Sequence, residues 1–341
     1  MFVSGGKVLT RACAAAFVLS LVLSSSASAA DDRTYVMKMT LATVDDALHE
    51  FARNYAAAVE KDSAGRIKAE IYPASQLGSS QRQAEGVQFG EIQCLVAPPD
   101  FLVGIDQRFE VLAAPGLVTS MAEGQRLATD PAVEKLMLGL GANKGLHGAA
   151  LFMVTPSAVI ARTPIRHLAD FRGRKIRILA SQFQSVAIQR LGAIPKPMTL
   201  AEVLPALQDN AVDGALGAVA VFSTMHYVEV AKYVTEIGQP AIFAIVELSK
   251  KWYESLPADL QGVVDRDAAS QSRAINPWVV DFNAKARHAW TAAGGELISL
   301  SPDEQAAMLK IIASAGDEVS STKPELNAAY QVVTAAAQRV R

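Results

Sequence analysis

The stretch FRGRKIRILAS, residues 171–181, holds four cations around an apolar strand pattern. Three of them can reach water from a turn or a strand edge, but Arg177 stands between Ile176 and Ile178. A buried guanidinium is costly unless an anion pairs with it. The pattern leaves two interpretations: a structural salt bridge within the strand layer, or a ligand carboxylate held by the planar guanidinium fork.

The other residues of catalytic, nucleotide-binding or metal-binding types do not have the spacing of the motifs in which such residues act. The sequence contains no G-x-S-x-G, no H-E-x-x-H and no P-loop. GLGANKG (139–145) departs from a dinucleotide fingerprint in its last spacing and follows a helix, so it indicates a helix end and a turn. Asp45 and Asp46 lie at a predicted helix start, where carboxylates stabilise the helix dipole. We therefore predict no enzyme, no cofactor and no metal site, with no ligand spacing among the five histidines, His49, His147, His167, His226 and His288.

The first thirty residues are typical of a secretory signal peptide. Lys7 and Arg11 precede the apolar run 12–23, and small residues up to Ala30 offer a cleavage site. We expect export to the periplasm, with a single N-terminal anchor as the alternative. Loss of these two cations takes the formal charge from −2 to −4.

The composition of residues 31–341 excludes several classes of partner. A mildly acidic chain without a basic cluster among aromatics is not built to bind nucleic acid. Cys94 is the one cysteine of this range and stands in the apolar run EIQCLVA, so it indicates a small buried hydrophobe rather than a disulfide. No apolar run is long enough to span a membrane.

Short β-rich runs alternate with amphipathic helical segments, which is typical of α/β layers. Thr199 and Glu202 form a capping box, but Pro205 should bend or break the helix that follows. A long helix is expected at about 258–294, kinked at Pro277. The residues 109–118 are expected to be extended. Strands are predicted at 34–42, 66–73, 91–97, 145–154, 157–162, 175–179, 212–219 and 241–248. Helices are predicted at 45–65, 80–90, 182–193 and 198–208, and two more within 121–143.

Five segments in order resemble the periplasmic substrate-binding subunit of TRAP transporters, the DctP family. The segments are GRIKAEIYPASQLG, DFRGRKIRI, LGAIPKPMTLAEVLPALQDNAVDGA, YVEVAKYVT and WYESLPADLQ. The resemblance implies an α/β, two-lobe periplasmic binding protein fold with a central cleft and a long helix spanning both lobes. It also implies that Arg177 holds a ligand carboxylate, and that the partners are a small organic acid and the small and large membrane subunits of the transporter.

The sequence departs from the family pattern around this arginine. A second arginine, common about twenty residues earlier, is replaced by Pro156 or Ser157, and Gly217 and Leu200 stand where an asparagine and an aromatic are frequent. A ligand with one carboxylate and an apolar or aromatic body, such as a branched or aromatic 2-oxo acid, is therefore expected. The candidate ligand-binding residues are Arg177, Ser157, Asp100, Phe101, Pro99, Leu200, Gly217 and Ala180, with Asp100 either receiving a ligand hydroxyl or amine, or lying on a loop surface.

The resemblance divides the chain into a signal peptide, 1–30, and two lobes that close over the ligand by a hinge. The first lobe is expected at 31–154, the second at 155–245, and residues 246–341 return to the first. A receptor of another transporter or of a sensor is the nearest alternative function. A periplasmic α/β enzyme is the alternative from a different class.

Overall fold

The computed structural model describes Met1 and residues 33–341, and within them nine strands join one mixed sheet. Apart from Met1, the predicted signal peptide, residues 1–30, lies outside the described residues. The sheet order is β2-β1-β3-β8-β4-β7-β5-β6, and β9 pairs with β8. The strands are β1 (Tyr35–Thr40), β2 (Ile67–Tyr72), β3 (Cys94–Ala97), β4 (Leu146–Ala161), β5 (Lys175–Ile178), β6 (Ile194–Pro197), β7 (Gly214–Gly217), β8 (Tyr233–Ser249) and β9 (Glu296–Ser299).

Two long strands at the centre divide the sheet into halves. β4 and β8 pair antiparallel along most of their length, with register shifts between Gly148 and Ala150, Met153 and Thr155, and Pro156 and Ala158. We call β1, β2 and β3, with the part of β8 that pairs with β3, the first half of the sheet. The second half comprises β5, β6, β7 and β9 with the opposite part of β4 and β8.

Helices cover both faces of each half. Four clusters of buried apolar side chains result, two on the first half and two on the second. The helices are α1 (Ala47–Asp62), α2 (Ser80–Phe89), α3 (Met121–Ala128), α4 (Pro131–Gly139), α5 (Gln182–Arg190), α6 (Leu200–Gln208), α7 (Val219–Thr224), α8 (Lys250–Ser255), α9 (Ala258–Ala274), α10 (Asn276–Ala292), α11 (Pro302–Ala313), α12 (Ala315–Ser320) and α13 (Pro324–Val340).

The predicted long helix is present as α9 and α10, which meet at Ile275. Pro277 explains the break, because it has no N–H to donate to the carbonyl four residues earlier. Leu260 of α9 packs in a cluster of the first half, and Trp290 of α10 packs in a cluster of the second. The helical pair therefore contacts both halves of the sheet.

Three local predictions differ from the structure. The segment 109–118 is not extended: its first half belongs to a 3₁₀ helix, Gln107–Ala113, which the Asp106 side chain caps at Arg108 N. The two strands predicted at 145–154 and 157–162 are one strand, β4. Pro205 does not break α6, which continues to Gln208 behind the predicted capping box.

Candidate ligand-binding site

Arg177 lies in the middle of β5, between β6 and β7, and is 3 % exposed. Ile176 and Ile178 pack in an apolar cluster on one face of the sheet. Because neighbouring residues of a strand point to opposite faces, the guanidinium leaves that cluster. Its Nε donates to Met198 O at 3.0 Å and its Nη1 donates to Leu216 O at 2.9 Å. Two main-chain carbonyls thus fix the plane of the guanidinium.

The Arg177 guanidinium forms no ion pair with any described Asp or Glu. Burial lowers the pKa of Arg177 to about 10, and the charges of Tyr227, Asp100 and Glu202 oppose this only in part. The structural salt bridge considered from the sequence is therefore absent from the described residues. Arg177 is a buried cation whose close partners are carbonyl dipoles.

A cavity of about 70 Å³ lies beside Arg177, lined by residues of both halves of the sheet. The lining is mostly apolar, with Leu48 and Val96 from the first half and Val203 and Phe222 from the second. Three of the residues predicted as ligand contacts also line it, namely Phe101, Leu200 and Gly217. The structure thus places four predicted residues, including Arg177, around one space.

The other predicted residues lie elsewhere. Ala180 lines two neighbouring grooves rather than this cavity. Ser157 is buried at the centre of β4, where its Oγ has no hydrogen-bond partner among the described residues, and it lines a separate groove beside the Glu236–Arg287 ion pair.

Pro99 and Asp100 are buried in the 3₁₀ helix Pro99–Leu102. Asp100 is not a surface residue: its Oδ1 accepts a hydrogen bond from Gln184 Nε2 at 3.2 Å. The pKa of Asp100 is raised to about 7, mainly by burial and in part by the charge of Glu110, while a main-chain hydrogen bond and the charge of Arg177 oppose the shift. The Asp100 carboxyl therefore contacts α5, and it does not line the cavity beside Arg177.

Glu110 contacts the same helix at its N-terminus. Its Oε2 accepts hydrogen bonds from Gln182 N at 2.5 Å and from Ser181 Oγ at 3.2 Å. Burial raises the pKa of Glu110, although these donors oppose the shift. The 3₁₀ helices that carry Asp100 and Glu110 pack in a cluster of the first half, so the two carboxyls join the first half to α5.

Three polar residues of the cavity were not predicted as ligand contacts: Thr43, Asp46 and Ser80. Asp46 has its predicted place at a helix start, as the N-cap of α1. Burial raises its pKa to about 6. A capping side chain is visible in a sequence, but its position at the cavity that Arg177 also lines depends on how distant segments pack together.

The described residues contain no group of three or more His, Cys, Asp or Glu side chains arranged to hold a metal ion. His147 illustrates the ordinary environment of these residues: it stacks on Tyr253, and its Nε2 lies 2.8 Å from Asp265 Oδ1.

No helix among the described residues combines the length and the apolar character needed to cross a membrane.

Comparisons with known proteins give one consistent family. The family model described as "Bacterial extracellular solute-binding protein, family 7" (DctP) matches residues 39–322. The C4-dicarboxylate-binding periplasmic protein DctP of Rhodobacter capsulatus is 29 % identical over 76 % of this chain and 79 % of its own. The 2,3-diketo-L-gulonate-binding periplasmic protein of Escherichia coli is 24 % identical over 74 % and 77 %.

Solved structures show the same fold at lower identity. A TRAP periplasmic solute-binding protein of Desulfovibrio salexigens with bound orotic acid superimposes with a TM-score of 0.85 at 22 % identity, covering 90 % of this chain and all of the other. One from Shewanella oneidensis with bound succinate gives 0.81 at 20 % identity, covering 89 % and 99 %. The family match, the curated relatives and the fold agree, and the chain belongs to the DctP family of bacterial extracellular solute-binding proteins.

Proposed function

We propose that this chain is the extracytoplasmic receptor of a TRAP transporter and that Arg177 holds the carboxylate of a small organic acid. The observation that carries the proposal is a buried guanidinium that has no acidic partner among the described residues and lies against a cavity. The relatives named above bind organic acids, which supports the same class of ligand.

The hydrogen bonds of Arg177 explain how it would hold a carboxylate. A guanidinium has five N–H donors, and the two bonds to Met198 O and Leu216 O leave the others available. A carboxylate that accepts two of them gains charge-assisted hydrogen bonds and supplies the negative charge that the site lacks. The main-chain bonds hold the fork in place before the ligand arrives, which reduces the entropy lost on binding.

The rest of the lining favours a ligand with one carboxylate and an apolar or aromatic body. Arg177 is the one cation among the described residues that line the cavity, and most of its neighbours there are apolar. A second carboxylate would lose its hydration without gaining a cation, which is costly. Succinate, bound in one structural neighbour, carries two carboxylates, whereas orotic acid, bound in another, carries one on a ring. We propose the second type for this chain, such as an aromatic or branched 2-oxo acid.

Ligand capture would proceed by closure of two lobes, 31–154 with 246–341 on one side and 155–245 on the other. Residues from both halves of the sheet line the cavity, so closure would bury the ligand between them. The closed receptor would then deliver the acid to the membrane subunits.

Export through a signal peptide at residues 1–30 would place the receptor in the periplasm, where the named relatives occur.

Substitution of Arg177 tests the proposal. Isothermal titration calorimetry with phenylpyruvate, 4-methyl-2-oxopentanoate and succinate should show tighter binding of the two monocarboxylates to the wild type. Arg177→Ala should weaken binding at least about 100-fold, because it removes two charge-assisted bonds. Arg177→Lys, which keeps the charge but loses the fork, should weaken it about tenfold or more.

The matched control is Arg172→Ala, an exposed cation of the same segment, which should bind like the wild type. Circular dichroism and the melting temperature check that each variant is folded. Wild-type affinity in both Arg177 variants would refute the carboxylate clamp. Tightest binding of succinate would refute the preference for one carboxylate.

A further inference from the structure

The cavity has a second polar region, formed by residues before α1 and at the start of α2. Asp46 is 2 % exposed, and its Oδ1 accepts three hydrogen bonds: from Thr43 Oγ1 at 2.8 Å and from Leu48 N and His49 N at 3.1 Å. Its Oδ2 accepts a hydrogen bond from none of the described residues. One oxygen of this buried carboxyl is therefore fixed by the protein, and the other has no donor.

Ser80 lines the same cavity, and its hydroxyl also lacks a hydrogen-bond partner among the described residues. It is the first residue of α2 and is 2 % exposed, yet its Oγ makes no hydrogen bond with any described residue. Neither Asp46 Oδ2 nor Ser80 Oγ is among the fully enclosed unpaired atoms of the described chain, and both residues line the cavity. Polar atoms that lack protein partners at a cavity wall are suited to a polar group of the occupant.

From this pair of atoms we infer that the ligand carries, apart from its carboxylate, a hydrogen-bond donor that binds Asp46 Oδ2 and Ser80 Oγ. The inference deepens the proposed function and rests on it. The donor is a hydroxyl or an ammonium, and most of the other residues that line the cavity are apolar. The ligand class is thus a monocarboxylic acid, 2-oxo acids included, whose apolar or aromatic body also carries a hydroxyl or an ammonium.

The charges of the two ends support this assignment. Arg177 lies in β5 of the second half of the sheet, whereas Asp46 and Ser80 stand at the starts of α1 and α2, which pack on the first half, so one ligand would contact both sides of the cavity. A second carboxylate placed at Asp46 would meet a like charge and a hydrogen-bond acceptor without a proton to share. Asp46 therefore disfavours dicarboxylates by repulsion, while Arg177 attracts the first carboxylate.

A series of matched acids tests the inference. The probes are pentanoate, 5-hydroxypentanoate and 5-aminopentanoate, together with the corresponding acids one carbon shorter and one carbon longer, measured by calorimetry. At the best chain length, the wild type should bind one of the donor-terminated acids about tenfold or more tightly than the methyl-terminated acid. Tighter binding of the amino-terminated probe identifies an ammonium as the donor, and tighter binding of the hydroxy-terminated probe identifies a hydroxyl.

Two variants assign the preference to the named residues. Asp46→Asn keeps a good N-cap for α1, so the fold should be retained while the preference falls about tenfold. Ser80→Ala should reduce it about threefold. The control is Asp45→Asn, which changes the exposed neighbour that pairs with Arg53 and should leave the preference unchanged.

The outcomes separate this inference from the proposed function. Acids that bind through Arg177 with no preference for a terminal donor would overturn the inference and leave the clamp in place. A preference that survives in both Asp46→Asn and Ser80→Ala would also overturn it. Failure of every acid and 2-oxo acid to bind, or equal binding by Arg177→Ala, would overturn both.

Discussion

Glu247 is a buried carboxyl without a hydrogen-bond partner among the described residues. It lies in β8, is fully buried, and neither of its oxygens is bonded. Burial raises its pKa well above the ordinary value. The folded protein therefore favours the protonated acid at this position, whereas the unfolded chain ionises it at about pH 4.3.

We expect the substitution Glu247→Gln to change how stability depends on pH. Below the pKa that Glu247 has in the unfolded chain, the carboxyl is protonated in both states, and its titration leaves the free energy of unfolding unchanged. As the pH rises above that unfolded-state pKa, the unfolded chain ionises and the free energy of unfolding falls progressively. Between about pH 5 and pH 7, the wild type should lose up to about 1.4 kcal/mol per pH unit relative to the variant. Urea denaturation at several pH values measures the difference.

Glu91→Gln, at an exposed position, is the control and should follow the wild type at every pH. If wild type and Glu247→Gln lost stability in parallel over this range, Glu247 would have to be hydrated or paired in solution. Because the wild type and Glu247→Gln share one fold, the other carboxyls titrate alike in both, and their effect on stability cancels in the difference.

At the scale of single residues, the sequence predicts a functional role best where the chemical character of a residue does not suit the pattern of its neighbours. Arg177 was identified because a cation between two isoleucines of a strand requires an explanation. The sequence predicts Asp46 at a helix start, which is correct, but its position at the cavity follows from packing between distant segments. Asp100 was assigned to a cleft loop, and its bond to Gln184 joins residues 84 positions apart.

Among the elements, α6 carries a proline where a helix usually has none. Pro205 is the sixth of nine residues, and it is exposed. It gives no N–H to the Ala201 carbonyl and crowds that turn. The capping box of Thr199 and Glu202, with hydrogen bonds of 2.7 and 2.6 Å, stabilises the helix start despite this loss.

Pro205→Ala should therefore stabilise the protein by about 1–3 kcal/mol, because it restores one main-chain hydrogen bond and removes the clash. Equilibrium urea denaturation gives the change. Pro302→Ala is the matched control: Pro302 is the first residue of α11, where proline is favourable, and its replacement should bring no gain. A loss of stability in Pro205→Ala would mean that the ring makes contacts that outweigh its strain.

Most elements could be predicted because their ends carry local signals, such as Gly192 after α5 and the capping box of α6. β4 could not, because a proline within a run of strand residues usually ends it. Here Pro156 lies at a register shift against β8, where the missing N–H leaves the pairing intact. The 3₁₀ helix Gln107–Ala113 was missed because its apolar run resembles a buried strand, and its turns are held by contacts with β8 and α13.

At the scale of the whole molecule, Glu110 and Asp100 join the first half of the sheet to α5. If the lobes close over the ligand as proposed, these buried contacts hold the closed arrangement together. Glu110→Ala should then increase the radius of gyration of the unliganded protein in small-angle X-ray scattering. It should also weaken binding of the preferred 2-oxo acid about 10- to 100-fold, although Glu110 does not line the cavity beside Arg177.

The control for this prediction is Glu123→Ala, because Glu123 bonds only to its close neighbour Thr119 and to its own helix start. That variant should keep the wild-type shape and affinity. An unchanged radius together with unchanged affinity in Glu110→Ala would show that the two carboxyls do not hold the lobes closed.

The predicted family, the α/β fold and the absence of enzymatic function are confirmed by membership of a family of solute-binding receptors. These properties could be predicted because short motifs along the whole chain carry them. The lobe boundaries remain predictions, since β4 and β8 pass through both halves of the sheet and no local signal marks where one lobe ends. The ligand depends on side chains that meet only in the folded molecule.

Gly217 and Phe222 together constrain how this receptor could acquire a new specificity during evolution. A Cβ at position 217 would lie 2.9 Å from Phe222 Cζ, and Phe222 is itself buried against Tyr227. A mutation that introduces a polar side chain at 217 first therefore creates a clash, whereas one that first shortens Phe222 leaves a void to be filled. A shorter residue at 222 before a side chain is added at 217 is thus the order that avoids the clash.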